Sequence, residues 1–324
     1  MKSSIWLLVI FSTPLTLFQC AKNEAITSVN VYVAGMDFNG SHNVAKLWKN
    51  GVAASLTDGT LDAVANSVFV SGSDVFIAGY VSNYGVVWQN GVVTQLTNGY
   101  TYSMANSVYV AGPDVYVAGN VVSGTHGVAT VWKNGISLPL TDGTRSANAN
   151  SVFVSGTDVY VAGVEANDSG IYLAKFWKNG VPTVLTDGTR FSFANSIFVV
   201  GSDVYVGGSG RSGNNAGNDI YVWKNGMAFY NSSASNPTSV TTSVANSIFV
   251  TNTDIYTAGA GQVSKNGIIT SLDANYTSSI FVSGSDVYVV GGDSAGAKVW
   301  KNGLATPLTD GPLETWANCV YVAR

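Results

Sequence analysis

The chain has 324 residues, only 10% of them charged, and a formal net charge of −4. A globular protein usually carries about a quarter charged residues, and a balance this mild, with no basic run, excludes nucleic acid as a partner. The 36 glycines, set among frequent Val, Asn, Ser and Tyr, point instead to an all-β protein rich in tight turns.

In chain order, the first feature is an export signal. Lys2 supplies the positive end, residues 5–11 form an apolar run, and Leu17-Phe18-Gln19-Cys20 follows. The apolar run is too short to cross a bilayer. The stretch resembles a bacterial lipoprotein signal, with Leu17 three residues ahead of the cysteine. That resemblance implies a signal peptide over residues 1–19, cleavage before Cys20, lipid on Cys20, and residues 20–27 as a short tether. The expected location is the bacterial cell envelope, as an outer-membrane or cell-surface lipoprotein; soluble secretion is the alternative. Cys319, the only other cysteine, then has no disulfide partner.

From residue 28 onward the chain repeats. One unit reads Ala65-Asn66-Ser67-Val68-Phe69-Val70-Ser71-Gly72-Ser73-Asp74-Val75-Phe76-Ile77-Ala78-Gly79, then Val87-Trp88-Gln89-Asn90-Gly91, then Leu96-Thr97-Asn98-Gly99. The first element recurs at Asn106, Asn150, Asn195, Asn246, loosely at Ser278, and at Asn318. The second begins at Asn30, Asp74, Asp114, Asp158, Asp203, Asp254 and Asp286, and the third ends at glycines 51, 91, 135, 180, 226, 267 and 303. Each unit therefore predicts four short strands, a to d, with a two-residue Asn-Gly turn between c and d and a tight Gly-Ser-Asp turn between a and b. Strands a and b are apolar at nearly every residue, as suits a sheet covered on both faces.

Four strands per 40 or so residues is the signature of a β-propeller. Seven units predict seven four-stranded antiparallel blades over residues 28–324. The phase of the repeat predicts closure: the chain ends just after a lone strand a (residues 318–323) and the repeat starts with a strand b lacking its strand a. The pairing of these two strands completes one blade and fastens the ring. Spacing and the strand-c tryptophan resemble the WD40 and kelch propellers, and the whole repeat region is similar to secreted bacterial repeat lipoproteins. The Trp-Asp and Gly-His pairs of WD40 repeats are missing, the kelch double glycine stands only at Gly207-Gly208 and Gly291-Gly292, and the resemblance implies no activity.

Strand alternation sends the uniform a–b and c–d turns to one face and the variable b–c and d–a loops to the other. Variable loops on a rigid scaffold are where binding usually resides. On that face Arg145 and Arg190 hold equivalent d–a positions and Arg211 lies in the next b–c loop; guanidinium groups so placed can take a carboxylate or sulfate bidentately. Tyr100, Tyr102 and Phe191 are candidate contacts for sugar faces, whereas Phe193 and Trp316 are expected to tuck between blades. The repeated asparagines are expected to tie down loop backbone, the strand-c tryptophans to pack between blades, and the lysines before the Asn-Gly turns to supply solubility.

These features predict a binding module for a polysaccharide or protein partner, attached to the membrane through its lipid alone, with no cofactor and no metal. His42 and His126 stand in b–c loops with no motif for a triad or a zinc site beside them. The alternative is a glycan-acting hydrolase using Asp62 and Glu314, which hold equivalent positions in blades made adjacent by closure, since glycoside hydrolysis needs a pair of acids.

Overall fold

The computed structural model describes residues 29–97, 102–210, 219–231, 245–309 and 314–324. Blade 1 opens with β1 (Asn30–Phe38), β2 (Asn43–Lys49) and β3 (Val52–Ser55). Blade 2 is β4 (Ala63–Ser71), β5 (Asp74–Val81), β6 (Tyr84–Gln89) and β7 (Val92–Gln95). Blade 3 is β8 (Ser103–Ala111), β9 (Asp114–Ser123), β10 (His126–Lys133) and β11 (Ile136–Pro139). Blade 4 is β12 (Ala147–Ser155), β13 (Asp158–Ala166), β14 (Tyr172–Lys178) and β15 (Val181–Val184). Blade 5 is β16 (Ser192–Val200), β17 (Asp203–Gly210), β18 (Asp219–Lys224) and β19 (Met227–Asn231). Blade 6 is β20 (Ser247–Val250), β21 (Ile255–Gly259), β22 (Gln262–Lys265) and β23 (Ile268–Ser271). Blade 7 is β24 (Tyr276–Ser283), β25 (Asp286–Asp293), β26 (Gly296–Lys301) and β27 (Leu304–Pro307), and β28 (Thr315–Ala323) ends the chain.

Every sheet has four antiparallel strands in sequential order, except that β28 lies beside β1 in blade 1. Asn30 pairs with Ala323 and Asp37 with Thr315, so the ring closes through the two ends of the repeat. The architecture is a seven-bladed β-propeller, as the sequence predicts. All seven c–d turns have Asn at φ 50–53° and Gly at φ 79–84°, the double positive φ that a type I′ turn demands.

Strand a is longer than the repeat suggests. In blade 2 it starts at Ala63, and the register slips between Ala65 and Ser67, leaving Asn66 as the extra residue of a β-bulge. Asn66 is therefore inside a strand, not in the loop before it, because Ala63-Val64-Ala65 resume the pairing beyond the bulge. The bulge frees the amide side chain to reach the next blade. Asn66, Asn106, Asn150, Asn195, Asn246 and Asn318 donate to the backbone oxygens of Ala105, Ala149, Ala194, Ala245, Thr277 and Ala65 at 2.9–3.1 Å.

The next residue makes a second bond around the ring. The hydroxyls of Ser67, Ser107, Ser151, Ser196, Ser247 and Ser279 accept the amides of Val108, Val152, Ile197, Ile248, Ile280 and Val320 at 3.1–3.2 Å. Cys319 holds the seventh serine position, its Sγ 3.9 Å from the Val68 carbonyl, and burial pushes its thiol pKa up. Two residues further on, Phe69, Tyr109, Phe153, Phe198, Phe249, Phe281 and Tyr321 form an unbroken circle of tilted rings with centroids 4.7–5.0 Å apart. Aromatic pairs at such spacing and tilt attract beyond their buried area.

Between blades, the strand-c tryptophans fill the core. Trp48, Trp88, Trp132, Trp177, Trp223 and Trp300 are all buried. Each packs onto the preceding blade: Trp88 against Tyr32, Ala34 and Ala45, for example, and Trp223 against Tyr160, Ala162 and Phe176. The outermost d strands are exposed throughout in most blades.

Candidate functional site

On the b–c/d–a face, an Asx turn fixes the first residues of the d–a loops. Asp142 accepts the amide and hydroxyl of Thr144, and Asp187 those of Thr189, at 2.7–3.0 Å. These bonds to Thr144 and Thr189, helped by the following arginines, hold both carboxyls below the usual carboxylate range. Arg145 and Arg190 directly follow the two threonines, so they leave their blades at matching positions.

The two arginines then have different fates. Arg145 Nη2 lies 2.7 Å from Asp168 Oδ1, an exposed pair formed across to the b–c loop of blade 4. It borders a cleft of about 460 Å³ that also takes in His126, Asn167 and Tyr172. Arg190 makes no ion pair among the described residues. It borders a second cleft, of about 350 Å³, with Phe191, Tyr221 and Trp223. Tyr172 links the two: its ring centroid is 6.4 Å from that of Phe191 and 6.2 Å from that of Phe193. Phe191 is 43% exposed.

The expected cluster is thus partly assembled. Arg145, Arg190 and Phe191 line neighbouring clefts, while Arg211, Tyr100 and Cys20 lie outside the described residues. Tyr102 is exposed but stands at the start of blade 3, beside Tyr80 of blade 2. Burial, with Tyr102 and Asp62 nearby, raises the Tyr80 pKa. Phe193 stacks toward Tyr172 of blade 4 as expected. Trp316 stacks on Tyr276 of blade 7 with centroids 4.5 Å apart, yet keeps much of its surface in solvent.

Asp62 accepts the amide of Asn43 at 2.8 Å and lies 3.7 Å from His42 Nδ1, whereas the backbone oxygen of Glu314 accepts the amide of Phe38. No hydrogen bond joins Asp62 to Glu314. Among the described residues, no group of three His, Cys, Asp or Glu could hold a metal ion.

Two participants escaped the sequence reading. Asp168 and Tyr172 sit in and beside a b–c loop that matches that of blade 1 at Asn167 and Asn39, but Gly40 and Asn43 hold the corresponding positions there, so no repeat position marked the two residues. No protein-family model matches the sequence, and no curated protein matches it. Among solved structures, a chain of the "Crystal structure of Nidogen/Laminin Complex" is similar over 92% of this chain and 99% of that one, with 8% identity and a TM-score of 0.46.

Proposed function

We propose that this propeller is an envelope-anchored binding module. Lipid on Cys20 holds it to a bacterial membrane, and the b–c/d–a face at blades 3 to 5 takes an acidic polysaccharide. One observation carries the reading: Arg190, free of any ion pair among the described residues, stands beside the exposed ring of Phe191 at the edge of an open cleft. A guanidinium pairs with a carboxylate or sulfate, and an aromatic face stacks against the apolar face of a sugar ring. Arg145 can join when its exposed pair with Asp168 opens, since such pairs contribute only about 0–1 kcal/mol. The hydrolase alternative rests on sequence position alone, for nothing in the geometry favours it.

An array of acidic and neutral glycans tests this directly. Acidic glycans should bind, and Arg145→Ala with Arg190→Ala should weaken that binding by more than ~1 kcal/mol while leaving stability nearly unchanged. Affinity unaltered in the double variant retires the site. An array blank alongside capture of a protein partner that depends on Arg190 moves the ligand class to protein. Mass spectrometry of the mature N-terminus decides the anchor: a lipid-modified Cys20 supports it, and an unmodified N-terminus elsewhere makes the protein soluble and secreted.

A further inference from the structure

The seven blade interfaces are alike except at one. In six blades strand c carries a buried tryptophan that lies opposite Val33, Ile77, Val117, Val161, Val206 or Val289 of strand b. In blade 6 both partners change: Ser264 takes the tryptophan position and pairs with Thr257. The core between blades 5 and 6 shrinks to Tyr205, Val222, Ile248 and Val250, with no indole in it.

The vacated space is open. A cavity of about 360 Å³ lies there, with Tyr205, Val222, Phe229, Val250 and Ile255 as its apolar lining, Thr257 and Ser264 from the strands, and Thr251, Asp254 and the turn residues as its polar rim. That volume is within the range of small-molecule sites. Thr257 and Ser264 are only 5% and 6% exposed, and among the described residues neither hydroxyl has a hydrogen-bond partner. Neither oxygen is sealed from the cavity, so each is open to a bound polar group. A slot with an apolar side of Tyr205, Val222, Phe229, Val250 and Ile255 and two open hydroxyls suits a ligand with a flat apolar body and one polar group.

We propose that this slot is a small-molecule site for a planar aromatic compound of one or two rings carrying a hydrogen-bonding group. The shape argument comes from the molecule itself, because the same strands enclose an indole at the other six interfaces. The hydroxyl pair supplies what those interfaces lack: the indole nitrogens of Trp48, Trp88 and Trp132 are buried without partners. The slot opens beside the a–b and c–d turns of blade 6, at Asn252, Thr253 and Asn266. It is therefore on the face opposite Arg190 and independent of the glycan reading.

Indole, phenol and toluene are the probes, titrated into the full protein by calorimetry and by thermal shift. Indole and phenol should bind saturably and raise Tm, as any ligand selective for the native state does. Ser264→Trp, which refills the slot from within, should abolish that binding and itself raise Tm. Thr257→Val keeps the shape and removes one hydroxyl; phenol affinity should fall at least fivefold and toluene affinity hold, which keeps the test decisive should the tryptophan variant misfold. Absence of saturable binding by indole and phenol up to their solubility overturns the proposal. So does binding that survives Ser264→Trp, or equal losses for phenol and toluene in Thr257→Val.

Discussion

Asn66 and its five counterparts show how one residue type can do two jobs at one position. In five of the six blades the asparagine is the extra residue of a bulge and loses its place in the ladder, while Asn246 stands just ahead of β20; in all six the side chain gains a carbonyl on the next blade. The bulge also explains the strand-b glycine that lies opposite it. The backbone oxygen of Val64 folds over Gly79 so closely that a Cβ there would come within 2.0 Å of it, and Gly35, Gly119 and Gly208 meet the same obstacle at 1.9–2.0 Å. Strand b therefore keeps its glycine for close approach and not for φ. Ser278 is the one member of the set that lacks an amide. Ser278→Asn should add a bond to blade 1 like those at the six other interfaces and raise stability by about 1 kcal/mol, the net value of one intramolecular hydrogen bond. Urea denaturation measures it; a lower midpoint would show that the seventh interface has no room for the amide.

At the scale of the element, the c–d hairpin is clamped by charge as well as by turn geometry. In blade 3, Asp114 accepts from Lys133 Nζ at 2.8 Å and from the Asn134 amide at 2.7 Å, and the lysine lies over the Tyr116 ring. Blades 4, 5, 6 and 7 repeat the clamp. The lysine bond, then the asparagine bond, lowers the pKa of Asp114, Asp158, Asp203 and Asp286 below the usual carboxylate value; for Asp254 the asparagine comes first. Groups with depressed native pKa values stabilise the fold above the ordinary carboxylate pKa and lose that contribution as pH falls through the depressed values. Tm should accordingly stay level from neutral pH down to the ordinary aspartate range and drop below it, with a shallower drop in Asp158→Asn. A steady decline between pH 8 and pH 5 would assign the acid sensitivity to other groups. Much of this element is legible in the sequence, since Asn-Gly admits few turns and Pro139, Pro182 and Pro307 mark strand d as an edge. The clamp is less so: a lysine beside a turn reads as a solubilising charge until the aspartate of strand b is brought alongside. The Arg145–Asp168 pair is illegible for a different reason, because Asp168 lies in a loop whose residues differ between blades, so no repeat position marks it.

For the whole molecule, the repeat count and its phase were enough to specify seven blades and closure by β28 on β1, since each element recurs in every blade. What one-dimensional pattern could not convey is how the two faces differ. The residue after each Asn-Gly turn is large and apolar in all seven blades: Val52, Val92, Ile136, Val181, Met227, Ile268 and Leu304, from 67% to 78% exposed. The a–b/c–d face thus carries a circle of apolar tips where the turn sequences suggest only uniformity. The repeat region also begins on this face, as the Val31 amide donates to Asn50 in the first c–d turn and the Asn50 amide to Asn30. A lipid on Cys20 would connect to Val29 through residues 20–28, a span of at most ~30 Å when extended. Anchoring therefore predicts that the apolar tips face the bilayer and that Arg190 and Phe191 face away from it. The aspartate clamps neutralise most turn lysines, so contact would rest on the aliphatic tips more than on anionic lipid. The check is a single fluorescent label on the lipidated protein in vesicles, placed through Leu304→Cys, Ile136→Cys or Phe191→Cys in a Cys319→Ser background, since Cys319 is a free, half-buried thiol. Labels at 304 and 136 should be quenched by lipid-borne quencher and the label at 191 should not. Quenching at 191 alone would reverse the orientation and turn the proposed glycan face toward the membrane.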